Sequence, residues 1–177
     1  MSKKNTPDLN EVLNYKVVLK NTPDPDKLSV TLKEKHPYGV GIFATKRIRK
    51  GQTIARYRLC LVGRNEPSTQ YTFRAYTKSG NPSRNLYGDL YVGSVPPPKR
   101  GIPYWAHFVN EPGPQEQPNA TIDTNINGNY KNRKILRKGH IIEYKLVAVK
   151  DIRPGAQVFW CYGEDYHARD YSTSCST

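Results

Sequence analysis

The run Val158-Phe-Trp-Cys-Tyr-Gly-Glu-Asp-Tyr166 decides how the rest of this chain is read. Its β-branched and aromatic side chains predict a buried strand that stops at Gly163, where the backbone is freed for a turn. Tyr162 sits at that break, with Phe159 and Trp160 just before it and Tyr166 just after. Four large rings in so short a span exceed what one face of a strand usually packs. Two readings stay open within the stretch. One is an aromatic core cluster whose tyrosine hydroxyl finds a single partner. The other is an aromatic-walled slot with Tyr162 as its polar handle. Only the remainder of the chain separates them.

The chain has 177 residues, enough for one domain with a sizeable core. Its 14 prolines and 13 glycines disfavour long helices and favour short elements joined by turns, while 13 tyrosines make up for modest aliphatic content. No apolar run is long enough to span a membrane, and Met1-Ser-Lys-Lys-Asn5 lacks the apolar core of a secretory signal. Cys60, Cys161 and Cys175 are too few for a disulfide framework and form no Cys-x-x-Cys pair, which fits a reduced intracellular compartment. The net charge of +13 is concentrated in two runs, Lys46–Lys50 and the set Lys131, Arg133, Lys134, Arg137 and Lys138. Runs of this kind are most often solvated loop tips, yet two together point towards a polyanionic surface such as DNA. Glu164, Asp165 and Asp170 lie directly behind the aromatic run and suit a cationic peptide.

Period-two alternation predicts strands over 28–35, over 54–62 with Ala55, Tyr57, Leu59 and Leu61 on one face, and over 120–126 and 140–149. Shorter strands are predicted at 17–20, 71–76 and 86–92. The Pro-rich segment from Asn110 to Asn119 must be loop. One small pattern recurs: Lys46-Arg-Ile-Arg-Lys-Gly51 and Lys150-Asp-Ile-Arg-Pro-Gly155 each form a turn that feeds a strand. Gly39-Val-Gly41 lacks the continuation and helix of a dinucleotide fingerprint. His36, His107, His140 and His167 are dispersed, with no metal-binding or triad spacing.

Taken in order, three segments resemble the SET-domain protein lysine methyltransferases. They are Tyr38-Gly-Val-Gly-Ile-Phe-Ala44 with Ile48–Gly51, His107-Phe-Val-Asn110 through Asn119, and Ala148–Gly155 through Tyr162-Gly163. Each is weak alone, but the ordered set is specific. The resemblance implies a mostly β fold of several small sheets with few short helices. Its C-terminal pseudoknot would bring residues 159–166 against the Asn110–Asn119 loop. The domain would span residues 28–170, preceded by an extension at 1–27 with a short strand and followed by a mobile tail at 171–177.

The same resemblance implies S-adenosylmethionine as cofactor. Tyr38, Gly39 and Gly41 would lie in its binding loop, Asn110 and Glu111 beside its amine and adenine, and Tyr166 or Tyr171 over the adenine. Tyr162 would be the active-site tyrosine, Tyr57 a second channel tyrosine, and Trp160 the residue beside the lysine amine. The chain departs from the family pattern at four places. Glu111-Pro112 replaces His-Ser, His107 replaces Arg, Trp160 replaces Phe or Tyr, and no Cys-x-Cys zinc-binding tail follows. No metal is therefore expected, and the bulky indole implies mono- or dimethylation if it faces the channel. A one-residue slip would instead present Phe159 or Cys161 there.

Such chemistry explains the rings. A free lysine amine has a pKa of about 10.4 and must be neutral to attack a sulfonium methyl. An aromatic channel desolvates it and tolerates the methylated cation that results. The expected function is methylation of a lysine in a basic protein, a histone tail above all, in a nuclear or chromatin setting. The alternative is a catalytically silent SET-like module that binds chromatin or nucleic acid.

Overall fold

The computed structural model describes residues 12–66, 71–76, 82–91, 95–124, 136–163, 166 and 170–175. Its spine is β3 (Thr53–Gly63), whose residues Ala55, Tyr57, Leu59 and Leu61 are buried while their neighbours are partly exposed. That alternation is the strand signature read from the sequence. Strand β3 pairs antiparallel with β5 (Pro82–Leu90) on one side and β7 (Ile141–Ala148) on the other. Strands β4 (Phe73–Tyr76) and β6 (Ala120–Asp123) flank these, giving the order β4-β5-β3-β7-β6. A separate hairpin joins β1 (Val30–Lys35) to β2 (Gly39–Ala44).

Tyr57 and Tyr144 face each other across β3 and β7, so the middle of the main sheet is aromatic. The Tyr144 hydroxyl accepts the Tyr76 N–H at 3.1 Å, so this fully buried phenol is satisfied. Trp105, Leu59, Ile142, Leu146 and Val158 fill the core around them.

Two expectations need correction. Residues 17–20, read as a strand from their paired valines, belong to a short helix α1 (Tyr15–Lys20). Asn14 caps it by accepting the Lys16 and Val17 N–H groups, and Val18 is buried. A cap and a tertiary contact outweigh the weak β preference of valine. The run from Val158 is buried at Val158 and Phe159 and partly exposed from Trp160 to Tyr162, and it is no sheet strand. Its contacts are single bridges, Gln157 to Phe43 and Phe159 to Asn110.

This segment is held at both ends of the Asn110–Asn119 loop. The Trp160 N–H donates to the Asn110 carbonyl at 3.0 Å, and the Phe159 carbonyl accepts from Asn119 and Ala120. The Asn119 side chain closes the junction, accepting the Phe159 N–H at 2.8 Å and donating to the Gln157 carbonyl at 2.9 Å. That crossing is what a C-terminal pseudoknot requires.

Candidate active site

A cavity of about 760 Å³ opens where the 157–162 segment, the one-turn 3₁₀ helix Ala106–Phe108 and strand β3 converge. Tyr57, Trp160, Tyr162 and Tyr166 line it, together with Tyr38, Asn110 and Glu111. The alternation along the segment sorts its rings. Phe159 is buried against Tyr38, with centroids 5.6 Å apart, whereas Trp160 lies on the cavity wall 5.3 Å from the Tyr162 ring. Cys161 turns away into a disulfide with Cys175. The indole therefore takes the register that faces the cavity.

Tyr162 is fixed from three directions. Its hydroxyl donates to the Val109 carbonyl at 2.6 Å, its N–H donates to Glu111 Oε1 at 2.7 Å, and Tyr166 stands edge-on at 4.9 Å. Burial, reinforced by Tyr171, Tyr166 and Glu111, pushes its pKa far above the usual phenol value. Burial, with Tyr162 and Tyr71 nearby, does the same to Tyr57. Both phenols remain protonated, so neither serves as a general base at physiological pH. With its proton committed to Val109, the Tyr162 oxygen keeps lone pairs for an N–H or an activated C–H group.

The glycine pair lies beneath the wall. Tyr38 and Val40 reach the cavity, and the Tyr38 hydroxyl donates to Glu116 Oε2 at 2.5 Å. Gly39 has φ +73°, a conformation that suits glycine. A Cβ on Gly41 would stand 2.5 Å from Gln157 Nε2 and 3.0 Å from Asn110 Nδ2. The Asn110 amide donates to the Val40 carbonyl at 3.0 Å and so ties this loop to the 110–119 loop.

Glu111 was expected beside the amine and adenine of the cofactor. Its side chain is 3% exposed and binds two partners, the Tyr162 N–H and the Tyr171 hydroxyl, the latter at 2.9 Å from Oε2. The tail, expected to be mobile, is anchored at the same place. Thr173 Oγ1 donates to the Pro112 carbonyl at 2.6 Å, and the Cys161–Cys175 bond fastens the chain two residues on. The cysteine reading is corrected accordingly: one disulfide forms, and Cys60 is the free thiol. Sequence reasoning named Glu111 but missed what its side chain holds, and it missed the anchoring of the tail through Thr173 and the disulfide. The two cysteines that bracket the tail were the one available signal.

His107, where the family often has Arg, is buried with Nε2 3.3 Å from the Val12 carbonyl and its ring near Tyr57, Tyr71 and Phe108. Burial lowers its pKa from 6.5 to about 4, outweighing the Val12 hydrogen bond. Above pH 6.5 it is neutral in both folded and unfolded chains and contributes no pH dependence. As pH falls from 6.5 to 4, the unfolded chain takes up a proton that the folded chain refuses, which costs about 3 kcal/mol of stability. Urea unfolding of the native protein and His107→Gln across that window checks this. The variant should lack that part of the acid slope, and parallel slopes would refute it.

Of the second basic run, Lys131, Arg133 and Lys134 lie outside the described residues. Arg137 and Lys138 are exposed, and Lys138 pairs with Glu66. Glu164, Asp165 and His167 are likewise outside the described residues.

The SET-domain family model matches residues 39–163, from the glycine loop to the glycine after Tyr162. The chain belongs to the SET-domain family. Members are typically protein lysine methyltransferases that use S-adenosylmethionine. No curated protein matches the sequence significantly. Among solved structures, this SET domain is similar to ATXR5 in complex with histone H3.1, with TM-score 0.50 and 15% identity over 100% of this chain and 73% of that one. It is also similar to the methyltransferase domain of human PR domain-containing protein 2, with TM-score 0.48 and 21% identity over 85% of each chain. At 15% identity the likeness to ATXR5 speaks for the fold alone. No helix among the described residues of the SET domain is long and apolar enough to cross a membrane.

Proposed function

We propose that this SET domain transfers a methyl group from S-adenosylmethionine to a lysine amine of a basic protein, a histone tail being the favoured substrate. The observation that carries the reading is the setting of Tyr162. It is a protonated phenol, hydrogen-bonded to Val109, on the wall of an aromatic cavity. The cavity has the size of a small-molecule site, and its lining is rich in aromatic rings with a few polar groups among them. Beside it, the Gln157 amide is buried with both polar atoms unpartnered, near Gly41 and Asn110. This donor set suits an amino-acid and nucleoside ligand. Tyr38, Gly39, Gly41, Asn110 and Glu111 would hold it, and Tyr166 would cover its adenine.

When bound, the cofactor supplies an electrophilic methyl on a sulfonium. The chain's own residues present the amine. Tyr57 and Trp160 flank the alkyl stem and exclude water, which favours the neutral amine. The Tyr162 oxygen accepts an amine N–H and so aims the nitrogen lone pair, and this positioning supplies much of the rate. After transfer the rings tolerate the methylated cation. Asp170, on the cavity rim, suits the basic residues around a target lysine. In ATXR5 the solved complex contains histone H3.1, which favours a histone tail as the first peptide to test. A nuclear or chromatin-associated setting fits that substrate.

Calorimetric titration with S-adenosylmethionine, followed by mass spectrometry of a histone-tail peptide, tests the reading. Cofactor binding and a mass gain of one methyl are expected. Absence of binding heat would favour the silent module, which the departures at Glu111 and Trp160 keep open. Product number is a second outcome. The indole of Trp160 narrows the space beside the amine, so the native protein should stop at mono- or dimethyl-lysine. Trp160→Phe should then shift the completed product towards trimethyl-lysine. A native protein that already makes chiefly trimethyl-lysine would show that the indole does not restrict the site.

A further inference from the structure

The two recurring turns meet in the fold. Each residue of Lys46–Gly51 has its counterpart 104 positions on, in Lys150–Gly155, and the two segments are related by a local twofold arrangement of backbone hydrogen bonds. Ile48 and Ile152 exchange both N–H···O bonds, at 3.0 and 2.8 Å. The Gly51 N–H donates to Ala148 and the Gly155 N–H donates to Ala44, at 2.8 and 2.7 Å. The Ala148 N–H reaches Gln52, and the Ala44 N–H reaches Ala156. Both glycines adopt positive φ, +86° and +84°. The isoleucines are buried, which pins the turns to the core from below.

What faces outward is charge. Lys46, Arg47, Arg49, Lys50, Lys150 and Arg153 are all exposed on this ridge. Residues 44–52 and 148–156 together carry six cations and one acid, so about a tenth of the chain holds more than a third of its net charge of +13. The single acid, Asp151, is already engaged by the Arg47 guanidinium at 2.6 Å and the Lys50 N–H at 2.9 Å. None of these residues lines the cavity. The proposed methyl transfer leaves the ridge without a role.

We propose that this ridge docks the phosphate backbone of a nucleic acid. A folded acidic protein fits it less well, because protein interfaces need a buried apolar or aromatic centre. Here the only large exposed apolar side chain is Val149, at 39% exposure. A polyanion needs no such centre, since its affinity comes from releasing condensed counterions. The turns are fixed by their mutual hydrogen bonds, so the charges are presented with little backbone ordering still to be done.

The test uses the full chain and fluorescence anisotropy with a short DNA duplex of arbitrary sequence and an RNA of equal length, over a salt series. The variant carries Lys46→Gln, Arg49→Gln, Lys50→Gln, Lys150→Gln and Arg153→Gln, and it keeps Arg47 because that residue engages Asp151. Affinity at low salt should fall by tenfold or more, and the slope of log K against log salt should shrink by about three or more. The midpoint of thermal unfolding and turnover on a free peptide should stay unchanged, which separates this outcome from misfolding and from failure of the methyltransferase reading. The two probes show which nucleic acid is preferred. A second variant, Arg137→Gln with Lys138→Gln, should have a much smaller effect. The proposal is overturned if the ridge variant binds as the native protein does, if the loss is confined to the second variant, or if polyglutamate binds the native protein as tightly as either nucleic acid.

Discussion

Tyr162→Phe is expected to lower methyl transfer by about a hundredfold or more while the protein stays folded. The substitution keeps the ring, so its edge contacts with Trp160 and Tyr166 survive. It removes the hydroxyl that is anchored on Val109, and with it the oxygen that would aim the amine. A lost neutral hydrogen bond costs about 1 kcal/mol of stability, too little to unfold a domain of this size. Cofactor affinity should hardly change, since the hydroxyl is assigned to the amine. Single-turnover kinetics and calorimetry on the same preparation separate the two effects. Native turnover in the variant would remove Tyr162 from the reaction.

Glu111→Ala is expected to be the most destabilising single change near the cavity, at about 2–5 kcal/mol. The carboxyl group is almost wholly buried and accepts from the backbone of Tyr162 and the hydroxyl of Tyr171. Alanine leaves both donors without that acceptor and opens a gap, while Thr173 and the Cys161–Cys175 bond still hold the tail. Glu111→Gln keeps an oxygen for the Tyr162 N–H and offers an amide to the Tyr171 oxygen, so it should recover most of the stability. Urea unfolding of the three proteins measures this directly. An alanine variant as stable as the native protein would show that the latch contributes nothing.

The parts of the fold legible in the sequence are those where one pattern has one cause. Strands β3 and β7 alternate because one face is buried, and their period appears directly in the residues. Helix α1 was misread because Val17-Val18 suggests a strand more strongly than Asn14 suggests a cap. The Val158 run reads as a strand because its apolar content reports burial, and burial does not reveal whether a segment has one long partner or several short ones. The aromatic wall was legible only as one of two readings, because the rings alone do not fix the register that in the structure sends Phe159 inward and Trp160 to the cavity. The latch was not legible. Tyr171 and Thr173 meet Glu111 and Pro112 across some sixty residues of chain, and in a Ser/Thr-rich segment nothing marks a buried hydroxyl from a solvated one.

The crossing of residues 157–162 with the Asn110–Asn119 loop also dictates the order in which the protein can become useful during its synthesis. Both sheets are complete once Ala148 has been made. The chain up to that point can form its strands and much of its core as it emerges. Trp160, Tyr162, Tyr166 and Tyr171 all arrive afterwards, and Val158, a fully buried core residue, arrives with them. A chain interrupted after Gly155 would possess every strand described here and lack one whole wall of the cavity.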